Sequence, residues 1–327
     1  MRFNLSDYLE ATDTPLWITH NSAWIYHIPM AAVLIKMLQP RVFVELGTFR
    51  GDSYMAFCQA VAKCNTATHC TAVDNWNGDA HAGFYGPNVL KELALTHDPL
   101  YGTFSTLLKS DFMDARRQFA NGSIDLLHID GHHTYSAVKA DFEAWQPKLS
   151  DRAVVLFHDT AVRERDFGVW KLWEELSTSY RGFNVPYGCG LGILAVGKNL
   201  PEPFEEFMDE LNHDSTPILT QLQTLGMRIE QMRTIMSLVN DLHHEQSVLN
   251  EWRKIARQTI LQPTPNVKAA WDEPRKYSMT VVGEVRELLV DTLKLVQENH
   301  ALREKATARI GVVKEVVDAA REKTPVA

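Results

Sequence analysis

Short apolar runs rich in β-branched residues alternate with helix-like segments from about residue 42 to residue 197. We interpret six of the runs as strands: VFVEL (42–46), TAVD (71–74), TLLKS (106–110), IDLLHID (124–130), AVVLFHD (153–159) and LGILAV (191–196). Several are apolar nearly throughout, which is typical of strands covered on both faces of a parallel sheet. Helix-like segments separate them at residues 53–63, 112–120, 134–145 and 168–177. The alternation predicts a doubly wound, Rossmann-like α/β fold with a mostly parallel sheet. We expect seven strands in this sheet, one more than the six runs.

The 327 residues fit one large domain with an appendage. We predict a helical lead-in over residues 1–40, the α/β domain over residues 41–200 and a helical region over residues 201–327. Apolar residues in the helical region repeat at spacings of four and three, at Ile218, Leu222, Leu225, Ile229, Met232, Met236 and Val239. A heptad repeat follows at Leu288, Leu295 and Leu302, beside the polar Asn299. The spacing predicts a coiled-coil-like region that forms a homo-oligomer, and packing on its own domain is the alternative.

Composition excludes several classes of protein. Hydrophobic residues make up 45% of the chain, charged residues 23%, and the net charge is -8. A chain of this charge has no basic face for nucleic acid, so we expect no nucleic-acid partner. The first residues do not resemble a signal peptide, and no apolar stretch is long enough for a transmembrane helix. The four cysteines match neither a zinc site nor a redox pair, which indicates reduced thiols in a cytoplasmic protein.

The first strand runs into a glycine-containing turn, Glu45-Leu-Gly-Thr-Phe-Arg-Gly51, before a helix. Gly47 and Gly51 let a ligand approach the backbone, and Thr48 and the helix start supply free N–H groups. The turn lacks GxGxxG and the Lys-Ser/Thr of a phosphate loop. Glu45 repels a pyrophosphate but attracts a cationic amino or sulfonium group. The turn therefore favours a sulfonium cofactor such as S-adenosylmethionine (SAM), with a nucleotide-binding protein as the alternative.

Two further acids follow strands at the same edge of the sheet. Asp74 ends the second strand, where a carboxylate can accept hydrogen bonds from both ribose hydroxyls of a cofactor. Asp111 follows the third strand and is placed to border an adenine ring. The alternative for Asp111 is a cap on the helix that begins after it.

Acids and imidazoles cluster after the fourth and fifth strands. Asp130 is followed across a glycine by His132 and His133, and the fifth strand ends in His158 and Asp159. Because the carboxyl ends of neighbouring parallel strands meet at one edge, these groups should converge. Two carboxylates with nearby imidazoles can bind a divalent cation, and a histidine beside it can deprotonate a hydroxyl. The alternative is that the acids cap helices and the histidines are loop residues.

The interval 75–104 is long for a loop in a compact domain. A short helical stretch in it is flanked by two turn-rich clusters, NWNGDAHAGFYGP and THDPLYG. We predict that the interval forms a lid over the site or a wall for the acceptor substrate, carried by Trp76, Asp79, His81, Phe84 and Tyr85. A structural cover over the sheet edge is the alternative. Beyond the fifth strand, Arg163 and Arg165 are candidates for contacting an anionic or sugar substrate, with solvated surface arginines as the alternative.

The motifs ELGTFRGDS, AVDNWNGDAHAGFYG, SIDLLHIDGHHTYSAVKADFEAWQPKL and VVLFHDT occur in this order over residues 40–197. In this the chain resembles the class I SAM-dependent methyltransferase superfamily, above all the metal-dependent sugar O-methyltransferases of the macrocin and mycinamicin type. Similar domains occur joined to glycosyltransferases that build surface polysaccharides. The resemblance implies that Asp130 and Asp159 bind Mg²⁺ and that His133 is the general base. His158 stands where those enzymes tend to have a second acidic or amide ligand, so we include it as a candidate ligand.

These observations lead to one main functional hypothesis. The chain is expected to be a SAM-dependent O-methyltransferase, assisted by Mg²⁺, that acts on a sugar hydroxyl of a glycan or glycosylated metabolite. A glycosyltransferase is the expected protein partner. The alternative is a non-catalytic, methyltransferase-like scaffold whose helical tail mediates assembly with a glycosyltransferase.

Overall fold

The computed structural model describes residues 3–20, 22–79 and 81–261. The chain divides into two compact units, residues 1–234 and residues 235–327. The predicted leucine repeat at residues 288–302 and Asn299 lie outside the described residues.

The first unit begins with single helical turns at Leu5–Asp7, Leu9–Thr12 and Ile25–His27, and the last of these leads into the first long helix. The helices are α1 (Ile28–Leu38), α2 (Asp52–Cys64), α3 (Asn88–Tyr101), α4 (Phe112–Ala115), α5 (Tyr135–Trp145), α6 (Val169–Leu176), α7 (Glu202–Asp214) and α8 (Thr216–Leu261). The strands are β1 (Val42–Leu46), β2 (His69–Asp74), β3 (Gly78–Asp79), β4 (Gly83–Phe84), β5 (Ser105–Lys109), β6 (Ile124–Ile129), β7 (Leu149–His158), β8 (Arg181–Val185) and β9 (Leu191–Ala195).

Seven strands form one sheet in the order β5-β2-β1-β6-β7-β9-β8. All neighbouring pairs are parallel except those made by β9, which runs antiparallel to β7 and β8. The predicted seven-stranded, mostly parallel, Rossmann-like sheet is confirmed. Chain order reverses between β1 and β6, so a crevice opens there at the carboxyl ends of the strands, where ligands bind in sheets of this kind.

Within the seven-stranded sheet, the edge strand β8 is the strand that the sequence pattern did not place. Its sequence, RGFNV, contains only one fully buried side chain, Val185. An edge strand is covered less than a central one, so it needs fewer apolar residues and leaves a weaker pattern. By contrast, all six residues of the central strand β6 are buried.

Both faces of the sheet are covered, as the nearly continuous apolar strands require. Successive residues of a strand point to opposite faces, so Leu126 and Leu156 pack in one core and Leu127 and Phe157 in the other. The first core includes α1, α2 and α7, and the second includes α5 and α6. Helices on both faces hold the strand ends in fixed positions.

The interval after β2 contains a two-stranded hairpin of β3 and β4, followed by α3. The sequence suggested a turn at THDPLYG, but this segment is the last part of α3, so that part of the prediction was wrong. His97 and Tyr101 are buried on the helix face that meets the core. Their burial outweighs the helix-breaking preference of Pro99, which lies close to the helix end.

The helices α7 and the first part of α8 belong to the same unit as the sheet. Ile218, Leu222 and Ile229 are buried, and Gly226 lies against the backbone of Tyr26. This part of the predicted seam therefore packs on its own unit. In the second unit, Met236 and Val239 are exposed. Within the described part of the chain, no helix is both long enough and apolar enough to cross a membrane.

Candidate active site

The turn after β1 brings the ends of β1 and β6 together. Gly47 has a φ of +86°, and a Cβ atom there would lie 2.1 Å from the Asp130 carbonyl oxygen. The Asp130 N–H donates to the Leu46 carbonyl at 2.8 Å. Gly51 has a φ of +84° immediately before α2 begins. Both glycines thus have backbone angles that other residues rarely adopt, and Gly47 also allows a close approach that a side chain would block.

Asp74 ties the first two strand ends to each other. One carboxylate oxygen accepts hydrogen bonds from the backbone N–H groups of Thr48 (2.9 Å) and Phe49 (2.8 Å). The other oxygen accepts from the Trp76 N–H at 2.6 Å. Asp74 also borders the main cavity at this sheet edge, although only 7% of its surface is exposed. Its carboxylate therefore shapes the turn as well as lining the cavity.

Asp111 lies at the position before α4, where a capping side chain would be expected. Its side chain makes no capping hydrogen bond to the helix. One of its oxygens instead accepts from the Asn75 side-chain amide at 3.1 Å, and both residues border the cavity. The structure thus leaves Asp111 facing the site rather than capping the helix. Sequence reasoning had missed Asn75, which follows Asp74 directly.

Glu45 lies beneath the site rather than in it. The residue is fully buried, and its carboxylate accepts a hydrogen bond from Nδ1 of His128, its neighbour across the β1–β6 pair, at 2.8 Å. Burial raises the pKa of Glu45, an effect that the hydrogen bond from His128 opposes. Trp24 and Phe57 pack against the His128 ring. The structure does not bring Glu45 to the cavity wall.

Asp130, His133, His158 and Asp159 converge where β6 and β7 end. His133 Nε2 lies 3.3 Å from Asp130 Oδ1 and 3.1 Å from Asp159 Oδ2. His158 Nδ1 lies 3.3 Å from Asp130 Oδ1 and 3.3 Å from Asp159 Oδ1. Each imidazole thus bridges the two carboxylates. The sequence-based expectation that these four groups meet agrees with this geometry.

Each imidazole in this cluster lies between two carboxylates, and these opposite charges shift the pKa values of Asp130, His133 and His158. Burial works to raise the pKa of Asp130, but the charges and hydrogen bonds of His158 and His133 hold it well below its usual range. Burial works to lower the pKa of His158, and the two carboxylates outweigh it and raise that pKa well above its usual value. Burial also works to lower the pKa of His133, and Asp130 and Asp159 outweigh this effect and raise that pKa.

Three of the four groups fit a divalent cation. Ligand atoms of Asp130, His133 and Asp159 all lie within 4.8 Å of one another. Two carboxylates and one imidazole are a donor set that suits hard or borderline divalent ions, including Mg²⁺ and Mn²⁺. His158, only 3% exposed, faces the two carboxylates but is not part of this group. The donor chemistry therefore accommodates a metal ion, with His158 behind the carboxylates.

The insert supplies a second layer around His133. Asp79 accepts hydrogen bonds from the backbone N–H groups of His81 and Ala82, both at 2.7 Å. Its other oxygen lies 3.2 Å from His132 Nδ1. Of the insert residues singled out from the sequence, Asp79 and Tyr85 border the cavity, while Trp76 is buried and Phe84 is 83% exposed.

The cavity itself has a volume of about 200 Å³. It is lined by residues that follow β1, β2, β5 and β6 and by residues of the insert, including Gly47, Phe49, Asp74, Asn75, Asp79, Tyr85, Asp111, Phe112, Asp130 and His133. Among the described residues, no lysine or arginine lines it. Arg163 instead stacks over Trp170, with its guanidinium carbon 4.5 Å from the ring centre. The cavity is therefore acidic, with aromatic rings at its wall.

The comparisons with known proteins agree with this arrangement. Residues 44–160 match the family model described as a methyltransferase domain. Protein y4gI of Sinorhizobium fredii, described as uncharacterized, is 50% identical over 188 residues, which are 58% of this chain and 21% of that protein. The chain thus spans about a fifth of the length of the curated relative it matches. The part of the chain that holds most of the site, residues 44–160, is therefore similar to a methyltransferase domain.

Several solved structures are similar at low identity. The O-methyltransferase TomG of Streptomyces achromogenes, in complex with SAM, is 14% identical with a TM-score of 0.40, covering 56% of this chain and 92% of that one. The SAH-bound methyltransferase PaMTH1 of Podospora anserina is 13% identical with a TM-score of 0.40, covering 52% and 77%. A methyltransferase of Geobacter sulfurreducens is 16% identical with a TM-score of 0.41, covering 58% and 86%.

Proposed function

We propose that the chain is a SAM-dependent O-methyltransferase whose reaction centre is the Asp130–His133–Asp159 cluster. The observation that carries the proposal is the position of this cluster. It lies beside an acidic cavity at the carboxyl ends of the strands, inside the segment that matches a methyltransferase domain. Methyl transfer to a hydroxyl requires a methyl donor held beside the acceptor oxygen and a group that takes up the hydroxyl proton. The cavity can hold the donor, and His133 of the cluster can take up the proton.

The cavity suits a cationic cofactor. SAM carries a sulfonium and an amino group, and the carboxylates of Asp74, Asp111 and Asp130 line a cavity that, among the described residues, no lysine or arginine borders. A carboxylate has about four acceptor positions, so Asp74 can accept from one ribose hydroxyl in addition to three backbone N–H groups. We assign Gly47, Thr48 and Gly51 to the turn that the cofactor approaches. Glu45 supports that turn from beneath through its bond to His128.

His133 is the residue that we assign as general base. Its ring borders the cavity, whereas His158 is 3% exposed and does not. In the reaction, an acceptor oxygen forms a bond to the methyl carbon while the carbon–sulfur bond breaks and S-adenosylhomocysteine leaves. The hydroxyl proton passes to Nε2 of His133. His158 holds the carboxylates of Asp130 and Asp159 in position.

Asp130 and Asp159 are the residues that would hold Mg²⁺, and His158, which faces both carboxylates, is the third candidate ligand. A bound divalent ion would lower the pKa of an acceptor hydroxyl and so ease its deprotonation. One nitrogen cannot both coordinate an ion and accept a proton. His133 as base therefore leaves the metal to the carboxylates and to water or acceptor oxygens, which Mg²⁺ tolerates well.

The acceptor that we propose is a sugar hydroxyl of a glycan or a glycosylated metabolite. The support is the resemblance to sugar O-methyltransferases together with the polar insert that borders the cavity through Asp79 and Tyr85. We also propose a glycosyltransferase as partner and self-association through the C-terminal helices. The S. fredii relative, in which the similar segment makes up 21% of the length, supports an arrangement with further domains.

The test combines cofactor binding with methyl transfer. Calorimetry should show SAM binding to the wild type. Tritiated SAM with a panel of sugars, glycans and nucleotide sugars should show methyl transfer that falls on addition of a chelator and returns with Mg²⁺. His133→Ala should lower the rate by about 10²–10⁴-fold while SAM binding stays within twofold. His213→Ala, at an exposed position on α7, is the matched control.

Each part of the proposal has its own contrary result. Absence of SAM binding would remove the cofactor assignment. Full methyl transfer by His133→Ala would remove the base assignment. A rate that is insensitive to chelators, with no Mg²⁺ bound by the wild type, would remove the metal.

A further inference from the structure

The His81 ring is nearly enclosed although it belongs to the hairpin segment of the insert. Its side chain is 4% exposed. The ring lies parallel to His132, with centres 4.6 Å apart and an angle of 7°, and it packs on Phe167 at 4.5 Å and 27°. Its Nε2 makes a 2.7 Å hydrogen bond to Asp166. His81 thus joins the insert to the loop after β7, 85 residues further along the chain.

Phe167 passes this arrangement on to His133. The two rings lie parallel, with centres 4.8 Å apart and an angle of 5°. The backbone reinforces the pairing, because Thr134 and Phe167 form an antiparallel bridge and the Gly168 N–H donates to the His133 carbonyl at 2.8 Å. His81 also contacts His133 directly, with ring centres 5.5 Å apart and an angle of 31°, so the rings of His132, His81, Phe167 and His133 form one packed group.

His133 depends on this packing because no hydrogen bond holds its other nitrogen. Imidazoles that take part in catalysis are commonly oriented by a carboxylate or carbonyl that binds the second ring nitrogen. In the described residues, Nδ1 of His133 is buried without a hydrogen-bond partner. Apart from the contacts of Nε2 with Asp130 and Asp159, the orientation of the imidazole is therefore set by ring contacts. Phe167 provides the parallel contact, and His81 packs on Phe167.

We propose that His81 is a positioning residue, which fixes the orientation of His133 both by direct ring contact and through Phe167, and which is itself fixed by Asp166. The inference rests on the proposed function, because it concerns the residue assigned there as general base. Without the His81 ring, Phe167 loses the surface on which it packs and His133 gains rotational freedom. Reactive geometry is sensitive to shifts of about 1 Å, so the chemical step should slow while cofactor binding stays unchanged.

The kinetic test uses three variants and a control. His81→Ala should lower kcat at least about tenfold, with KM and Kd for SAM within twofold of wild type. His81→Phe restores a flat ring without the bond to Asp166 and should recover most of that loss. Asp166→Ala changes an exposed residue, so folding is not at risk, and it should lower kcat in the same direction. His213→Ala on α7 should behave as wild type.

A merely structural role would give a different result. If His81→Ala and Asp166→Ala both keep kcat within twofold of wild type, the inference is wrong. It is equally wrong if His81→Phe is as slow as His81→Ala, because the ring itself would then have no role.

A second measurement needs no turnover and separates the inference from the proposed function. In a crystal structure of the wild type, His133 Nε2 should lie 3.3 Å from Asp130 and 3.1 Å from Asp159. In a crystal structure of His81→Ala, Nε2 should have left this position. An unchanged His133 ring would overturn the inference. If the wild type transfers no methyl group to any acceptor, the proposed function fails, and these structures still decide whether His81 orients His133.

Discussion

Gly47 shows at the scale of one residue how the turn and the reaction centre depend on each other. Its α carbon lies against the backbone of Asp130, so the turn after β1 and the end of β6 touch where a side chain would stand. Gly83, in the insert, also has a positive φ, of +82°, but a Cβ atom there would meet nothing within 4 Å. The two glycines separate the effect of a strained φ from the effect of a close backbone contact.

Gly47→Ala should destabilise the fold far more than Gly83→Ala. A non-glycine residue in the left-handed region costs about 1–3 kcal/mol, and this is the whole cost expected at residue 83. At residue 47 the contact with Asp130 has to be relieved as well, so we expect a loss of more than about 3 kcal/mol in the free energy of unfolding. Urea denaturation measures both. Equal losses in the two variants would show that the contact is unimportant.

A second residue-scale feature is the pair of Arg41 and Asp125, which lies where β1 and β6 begin, at the end of the strands opposite to the site. The Asp125 carboxylate accepts from the backbone N–H, Nε and Nη2 of Arg41 and from the Ser150 hydroxyl, at 2.6–2.9 Å. Burial works to raise the pKa of Asp125, but the hydrogen bonds from Arg41 and Ser150 outweigh it and the pKa is lowered. The bonds join the start of β1 to the start of β6 and β7.

This pair predicts a dependence of stability on pH. Because the pKa of Asp125 is lower in the folded state than in the unfolded chain, its contribution is complete above about pH 4. This contribution to stability is lost as the pH falls through the pKa that Asp125 has in the folded state. Asp125→Asn should cost about 2 kcal/mol at pH 7 and should make stability less sensitive to pH below about pH 5.

Asp209→Asn, in an exposed pair with Arg181, is the control and should change stability by less than about 0.5 kcal/mol. Chemical denaturation at a series of pH values measures the three proteins. An Asp125→Asn variant that loses stability in parallel with the wild type under acid conditions would contradict the assignment.

At the scale of elements, α8 illustrates how one sequence pattern serves two structures. The spacing of its apolar residues fits two structures equally well, a coiled-coil seam and a helix that packs on its own domain. Leu222 is fully buried in the first unit, whereas Met227, on the same helix, is 49% exposed. The spacing could not decide between the two, because it specifies only that one side of the helix is apolar.

Leu222→Ala should therefore lower the stability of the first unit. Truncation of a buried leucine costs about 2–5 kcal/mol, of which part depends on how far the surroundings collapse. Met227→Ala, at an exposed position of the same helix, should change the free energy of unfolding by less than about 0.5 kcal/mol. Thermal and chemical unfolding measure both variants. Equal stability of the two variants would show that this part of α8 does not pack on the unit.

At the scale of the whole molecule, all the proposed site residues belong to the unit of residues 1–234. A chain that ends after Thr234 should therefore unfold cooperatively and bind SAM with a Kd within about twofold of the full chain. Calorimetry measures both properties. Loss of SAM binding with an intact unfolding transition would show that the second unit takes part in the site.

The same truncation tests the proposed self-association. If residues after 234 carry it, the full chain should sediment as an oligomer and the shortened chain as a monomer at equal concentration. Analytical ultracentrifugation distinguishes these states. A shortened chain that still forms the same oligomer would place the interface in the first unit.

Much of the fold could be predicted because strand and helix periods are local properties. Residues 42–46 match β1 at both ends, and the strands from β2 to β9 that the pattern placed are displaced by a few residues at most. The edge strand β8 and the end of α3 could not be predicted, since both depend on what packs against them. Pro99 and the single buried residue of β8 give local signals that tertiary contacts outweigh.

The sequence by itself determined the parallel sheet, the glycine turn and the convergence of Asp130, His133, His158 and Asp159. The physical reason is that parallel strands all end at one edge, so residues at those ends are brought together by topology alone. The tertiary structure decided that Glu45 lies beneath the cavity with His128 and that Asp111 faces the cavity instead of capping α4. It also brought His81 and Phe167 to His133. Those positions depend on which face of a strand is covered and on contacts between distant loops, and no local pattern encodes either.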